Sequence, residues 1–177
     1  MNRDILLSCM IFFYLLPIYY VYFYYRSNHS VSNIICNQQC KHHILFFMGL
    51  MGIATLLYEF ERKDGYSTFL ISILLIGIYG LICIHEENHL HYWFAFLVFI
   101  AILFFMLRHC YLTSCNSILF SSLLIEIAVL IYIILNIHKN IFFGEVIYIV
   151  NFAFYYVYLH FIQDGVVVPP VSEVMPL

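Results

Sequence analysis

The stretch Ile82–Phe94, ICIHEENHLHYWF, can be read in two ways that give two different folds. In one, His85-Glu86-Glu87-Asn88-His89 is an H-E-x-x-H zinc motif: on an unbroken helix, the two imidazoles share a face, and the glutamate activates a metal-bound water. In the other, the same residues are a polar turn between two apolar runs, Ser67–Ile84 before and Tyr92–Leu107 after. Runs of this length suit crossings of a bilayer. If both cross, the chain must reverse within His85–His91, and no continuous helix remains to hold the motif.

Composition favours the second reading. Of 177 residues, 64% are hydrophobic and only 10% charged, whereas soluble domains carry roughly 25% charged residues. There is too little polar surface to cover a fold in water, and lipid accepts apolar groups directly. Net charge is −3, and the longest basic run is Arg62-Lys63, so nucleic acid is excluded as a partner class. The lipid bilayer is the expected partner, with other membrane proteins or a second copy as further possibilities.

Working outward from the turn gives six apolar spans, at about 5–25, 44–60, 67–84, 92–107, 118–137 and 141–162. The expected fold is therefore all-α, a polytopic bundle of six transmembrane helices. Residues 1–162 form the membrane domain, leaving 163–177 as a short tail whose Pro169, Pro170 and Pro176 oppose helix. Pro17 falls inside the first span, a position that bundles tolerate. Tyr19, Tyr20, Tyr22, Tyr24 and Tyr25 gather toward its second end like an interfacial belt.

Six spans place both termini on one side. Arg3, Arg62, Lys63 and Arg108 then share that side against Arg26, Lys41 and Lys139 on the other, a slight basic excess that points to cytosolic termini. Asn28-His29-Ser30 is a glycosylation sequon in the longest connection, which this orientation puts in the lumen or outside.

Polar residues at or near membrane depth are the candidate functional groups. In the zinc reading, His85 and His89 are ligands, Glu86 is the base, and Glu126 or His91 completes the site. Glu126, within the fifth span, is by default a functional candidate, since an ionised group there is costly unless paired or lining a cavity. Glu145, one turn into the sixth span, can answer Lys139 or the helix N-terminal dipole. Cys36 and Cys40 form a disulfide, a metal pair or free thiols; Cys110 and Cys115 lie on the opposite side of the membrane. Gly49/Gly52 and Gly77/Gly80 suit close helix packing.

Three segments resemble the DRAM-like six-span family, which includes damage-regulated autophagy modulators and relatives in GPI-lipid remodelling. HILFFMGLMGIATLLYEFERKDG (His43–Gly65) is similar to that family's second span and charged turn. LLIGIYGLICIHEENHLHYWFAFLVF (Leu74–Phe99) resembles its Gly-bearing third span, loop and H-x-x-G-A-x-x-x-F start of span four: His91, Ala95 and Phe99 match, and Phe94 replaces the glycine. GEVIYIVNFAFYYVYLHF (Gly144–Phe161) resembles the sixth span, with Glu145 on the family acid and Val146 in place of an aromatic.

The resemblance implies a cytosolic N-terminus, a lumenal His85–His91 turn, and His91 and Glu145 as the family-matching polar positions. It also implies a non-enzymatic protein of endomembranes (lysosome, ER or Golgi) or the plasma membrane, acting in autophagy, lysosomal or membrane-lipid processes without a cofactor. Two alternatives stand beside it. One is a membrane zinc hydrolase built on His85, Glu86, His89 and Glu126; the other is a proton- or metal-responsive channel or carrier, suggested by nine histidines and Glu126.

Overall fold

Asparagine or aspartate lies at or just before the start of each of the last four helices, and these starts set the turns of the fold. The computed structural model describes residues 3–25, 30–31, 34, 41–85, 87–136 and 140–162. Six helices follow in order: α1 (Arg3–Tyr25), α2 (Lys41–Arg62), α3 (Gly65–Cys83), α4 (His89–Leu112), α5 (Ser117–Leu135) and α6 (Phe142–Val157). A π turn, Tyr158–Ile162, prolongs α6. Among the described residues there is no strand.

The caps are explicit. Asp64 accepts from the Ser67 amide at the start of α3, Asn88 from Leu90 at the start of α4, and Asn116 from Ile118 and Leu119 at the start of α5. Asn140 does the same for Phe142 of α6, at 3.1 Å. Each bond satisfies an amide that the helix itself leaves open. The α2–α3 reversal takes only Lys63 and Asp64, and Lys63 adopts a left-handed backbone at φ 59°. That conformation disfavours a side chain, and the tightness of the reversal imposes it.

All six helices are long and apolar enough to cross a membrane. The chain is an all-α, multi-pass membrane protein. Its helix ends differ from the hydropathy runs, because a helix continues past its apolar stretch wherever its end is capped or its polar residues find partners. The second helix reaches Arg62 where the apolar run stops at 60, and the fourth spans His89–Leu112 where it covers 92–107. Residues 61–66 and 108–117, read as connections, are thus partly helical, and this carries Arg62, Arg108 and His109 onto helices.

Sequential helices pack side by side, and α6 returns against α1 to close a ring. The α3–α4 approach is close because α3 presents glycine there. A Cβ on Gly77 would meet Val98 Cγ2 at 2.7 Å and the Phe94 carbonyl oxygen at 3.1 Å, and one on Gly80 would overlap the Phe94 ring. Phe94 thus fits the notch that Gly80 leaves open. By contrast, a Cβ on Gly49 meets nothing.

The interior is aromatic and sulfur-rich, with Tyr58, Phe105, Met106, Tyr148 and Tyr155 buried. Phe12, Phe23, Phe46, Ile53, Ile76 and Phe154 face outward, as expected for helices whose solvent is lipid. α1 runs unbroken through Pro17.

Candidate functional site

Alternating crossings bring the end of α2, the start of α3, the end of α4 and the end of α6 to one side of the bundle, here called the Asp64 end. Two linked polar clusters form there. In the first, Arg108 forks onto Asp64, with Nη1 2.6 Å from Oδ2 and Nη2 3.0 Å from Oδ1. Arg108 Nη1 also donates to Ser67 Oγ at 2.9 Å, and its guanidinium lies 5.0 Å from the centre of the Tyr66 ring, a cation–π distance. Ser67 Oγ donates to Asp64 Oδ2 at 2.9 Å and lies 2.8 Å from His109 Nε2.

These contacts assign the protons. The Ser67 hydroxyl has one hydrogen, which goes to Asp64, and it already accepts from Arg108. His109 Nε2 must therefore carry a proton and donate to Ser67 Oγ, which leaves Nδ1 as a buried lone pair with no hydrogen-bond partner. A Ser–His pair at 2.8 Å invites comparison with a hydrolase nucleophile and its base. The direction is wrong, because here histidine donates to serine. Asp64 touches the serine and the arginine instead of orienting the imidazole, and Ser67 is completely buried.

Burial alone would raise the Asp64 carboxyl. The hydrogen bonds from Arg108 and Ser67, with the Arg108 charge, outweigh it and hold the group below its ordinary value.

The second cluster sits one turn deeper. Glu59 pairs with Arg62 at 3.0 Å, accepts from the Tyr156 hydroxyl, and lies 3.8 Å from His160 Nε2. Arg62 Nη1 approaches His160 Nε2 at 3.4 Å. The Phe105 ring contacts His109, Tyr156 and His160, and the His109 and His160 rings meet edge to face with centroids 6.2 Å apart. Glu59, His109 and His160 are buried, so charge is desolvated only where a partner meets it. The arrangement clamps α2, α3, α4 and α6 together at one end.

None of these residues was among the sequence candidates, which lie elsewhere. His85 is in the turn after α3, and His89 is the first residue of α4; both are exposed. His85 lies outside any helix and α4 begins at His89, so the two histidines do not sit on one continuous helix. Glu86 lies outside the described residues, as do Asn28, Cys36, Cys40, Lys139 and the 163–177 tail. Among the described residues, no three His, Cys, Asp or Glu side chains are grouped to hold a metal.

Glu126 lies completely buried midway along α5, facing α6 rather than the turn at His85. Asn151 donates to its Oε2 and to the Ser122 carbonyl, and accepts from Ser122 Oγ. His91, also buried, places Nδ1 2.9 Å from the Ile84 carbonyl oxygen and so ties the start of α4 to the end of α3. Glu145 accepts from the Val31 amide and joins the first connection to the start of α6.

Inside the ring is a cavity of about 170 Å³ walled by α1, α2, α3, α4 and α6. Met10, Met48, Met51, Ile78, Ile102 and Ile149 are typical of its lining. The hydroxyls of its wall are turned into the protein: Tyr14 donates to the Ile149 carbonyl, Tyr148 to Phe99, Thr55 to Met51 and Tyr156 to Glu59.

No protein-family model, curated protein or solved structure matches the chain.

Proposed function

We propose that this six-span protein is non-enzymatic and acts in the manner of the DRAM-like modulators it resembles, in autophagy, lysosomal or membrane-lipid processes. In this reading it resides in endomembranes or the plasma membrane, with its termini in the cytosol. One observation carries the proposal: the buried polar clusters cross-link helices, while the cavity is walled mostly by apolar side chains. A hydrolase needs a nucleophile or activated water facing a substrate space with donors for the developing charge. Here the polar clusters and the cavity are separate, and Tyr156, where they meet, gives its hydroxyl to Glu59.

The test is a tagged chain in cells depleted of the endogenous protein. Residence in lysosomal, ER, Golgi or plasma membranes is expected, with altered autophagic flux on depletion that H85A/H89A restores as well as the native chain. Purified protein carrying one zinc per chain, or loss of rescue in H85A/H89A, would overturn the proposal.

A further inference from the structure

The turn between α4 and α5 brings two free cysteines together through its backbone. The Cys115 amide donates to the Cys110 carbonyl at 2.8 Å, and the Ser114 amide to the Tyr111 carbonyl at 3.1 Å. With Ser114 left-handed at φ 54°, this is a Schellman closure of the helix. In that motif the third-last helical residue meets the second residue beyond the cap, commonly through an apolar contact. Here both positions are cysteine, Cys110 and Cys115.

The turn is held from both sides. Thr113 Oγ1 donates to the His109 and Cys110 carbonyls at 2.8 and 3.1 Å, and Asn116 caps α5. Cys115 is itself left-handed at φ 53°, a backbone that favours glycine or asparagine. Local preference therefore does not account for a cysteine there. The two thiols also interact directly. An N–H···O=C bond keeps the Cα atoms of its two residues close, and a disulfide bridges Cα atoms roughly 4.4–6.8 Å apart. Among the described residues no group of three ligating side chains is formed, which separates a bridge from a metal site.

Exposure divides the roles. Cys110 is 2% exposed, within the core cluster that includes Met106 and Tyr155, whereas Cys115 is exposed. A reagent in water reaches Cys115 first.

We propose that Cys110 and Cys115 form a thiol–disulfide exchange site for small-molecule disulfides such as oxidised glutathione, with Cys115 attacking and Cys110 resolving. The Cys115 thiol loses its proton to water, and its sulfur attacks one sulfur of the small disulfide. That S–S bond breaks, the first thiolate leaves, and a mixed disulfide remains on Cys115. The Cys110 thiol then loses its proton and attacks the Cys115 sulfur, forming the Cys110–Cys115 bond and releasing the second thiolate. Two protein thiols are oxidised and one small disulfide is reduced to two thiols; excess reduced thiol runs the sequence backward. The bridge would pin the last turn of α4, beside Arg108 and His109. The cysteines are modified rather than catalytic, which goes beyond the reading above and leaves it unchanged.

The experiment takes the purified full-length chain in detergent, reduces it, adds oxidised glutathione and quenches with acid over a time course. Remaining thiols are alkylated in denaturant. The chain is cut with chymotrypsin after Tyr111, so that only a bridge keeps the two cysteine peptides together, and the fragments are mapped by mass spectrometry. Glutathione is expected first on Cys115, then replaced by a Cys110–Cys115 bridge that excess reduced glutathione reopens.

Cys110→Ala should trap glutathione on Cys115, raising that adduct about tenfold over its level in the native chain. Cys115→Ser changes an exposed side chain and should leave Cys110 unmodified in protein that elutes with the native chain. Glutathione that stays on Cys115 of the native chain without a bridge would overturn the proposal. So would Cys110 bridged to any other cysteine, glutathione on Cys110 in folded Cys115→Ser, or no adduct at either residue.

Discussion

Arg108 and Asp64, forty-four positions apart in sequence, meet in a two-bond fork that joins the end of α4 to the α2–α3 turn. Their side chains are 19% and 6% exposed, so neither charge is well hydrated without the other. Removing one partner from such a pair leaves an uncompensated charge, at a cost of about 3 kcal/mol. Arg108→Ala should lower stability in detergent by about that amount. Asp64→Asn keeps an N-cap acceptor for α3 and isolates the charge. In a double-mutant cycle read by thermal unfolding, the two substitutions should couple strongly; independent, additive losses would show that the fork contributes nothing. Arg108→Lys should not restore it, since an ammonium cannot form the planar fork.

The same pair sets a pH dependence. Asp64 has a folded-state value below its unfolded one, so its contribution to stability is complete above about pH 4, the unfolded carboxylate value, and is lost as pH falls through the lower folded value. Detergent-solubilised protein should lose stability on acidification below about pH 4, and Asp64→Asn should flatten that limb. An identical acid limb in the variant would assign the loss to other carboxyls.

The six crossings were legible because lipid demands long apolar runs, and such runs can be counted. The reversal between the third and fourth spans was legible for the same reason, although α4 begins at His89, three residues before the apolar run. The ion clusters were not. Arg62, Lys63 and Arg108 were read as topological charges in water, because each sits where hydropathy falls. What hid the site is that helices α2 and α4 outlast their apolar stretches, turning apparent loop residues into helix ends that face one another. A signal was present: six alternating spans put Glu59, Arg62, Asp64, Arg108, His109 and His160 at one side, and opposite charges on the same side of a bundle are candidates for pairing. Glu126 was noticed, but its partner Asn151, which also bonds Ser122, lies on α6, and only packing of α5 on α6 brings them together.

Glycine positions that look alike in the sequence should behave oppositely. Gly80→Ala drives a methyl into the Phe94 ring, and overpacking of this kind costs about 1–3 kcal/mol. Gly49→Ala meets open space and should be neutral or stabilising by up to about 1 kcal/mol through helix propensity. Thermal unfolding of the two variants side by side gives the comparison. Phe94→Ala, harmful alone through the void it leaves, should become less harmful in the Gly80→Ala background, where the methyl occupies part of that void. Equal losses at the two glycines would mean that α3 and α4 are farther apart than described.

His91 should separate from the other two histidines of its turn. Its ring is buried and joins α4 to the Ile84 carbonyl at 2.9 Å, whereas His85 and His89 are exposed. His91→Ala removes a buried hydrogen bond and the ring that makes it, a loss of about 1–3 kcal/mol. Its effect should be local, loosening the α3–α4 reversal first. Hydrogen exchange should therefore rise at the start of α4 before the global transition moves, and less of the protein should elute as a single species in detergent. His85→Ala with His89→Ala should stay within about 0.5 kcal/mol of the native chain. If the double substitution unfolds the turn while His91→Ala leaves it intact, the exposed histidines hold the reversal, and the anchoring role assigned to His91 is wrong.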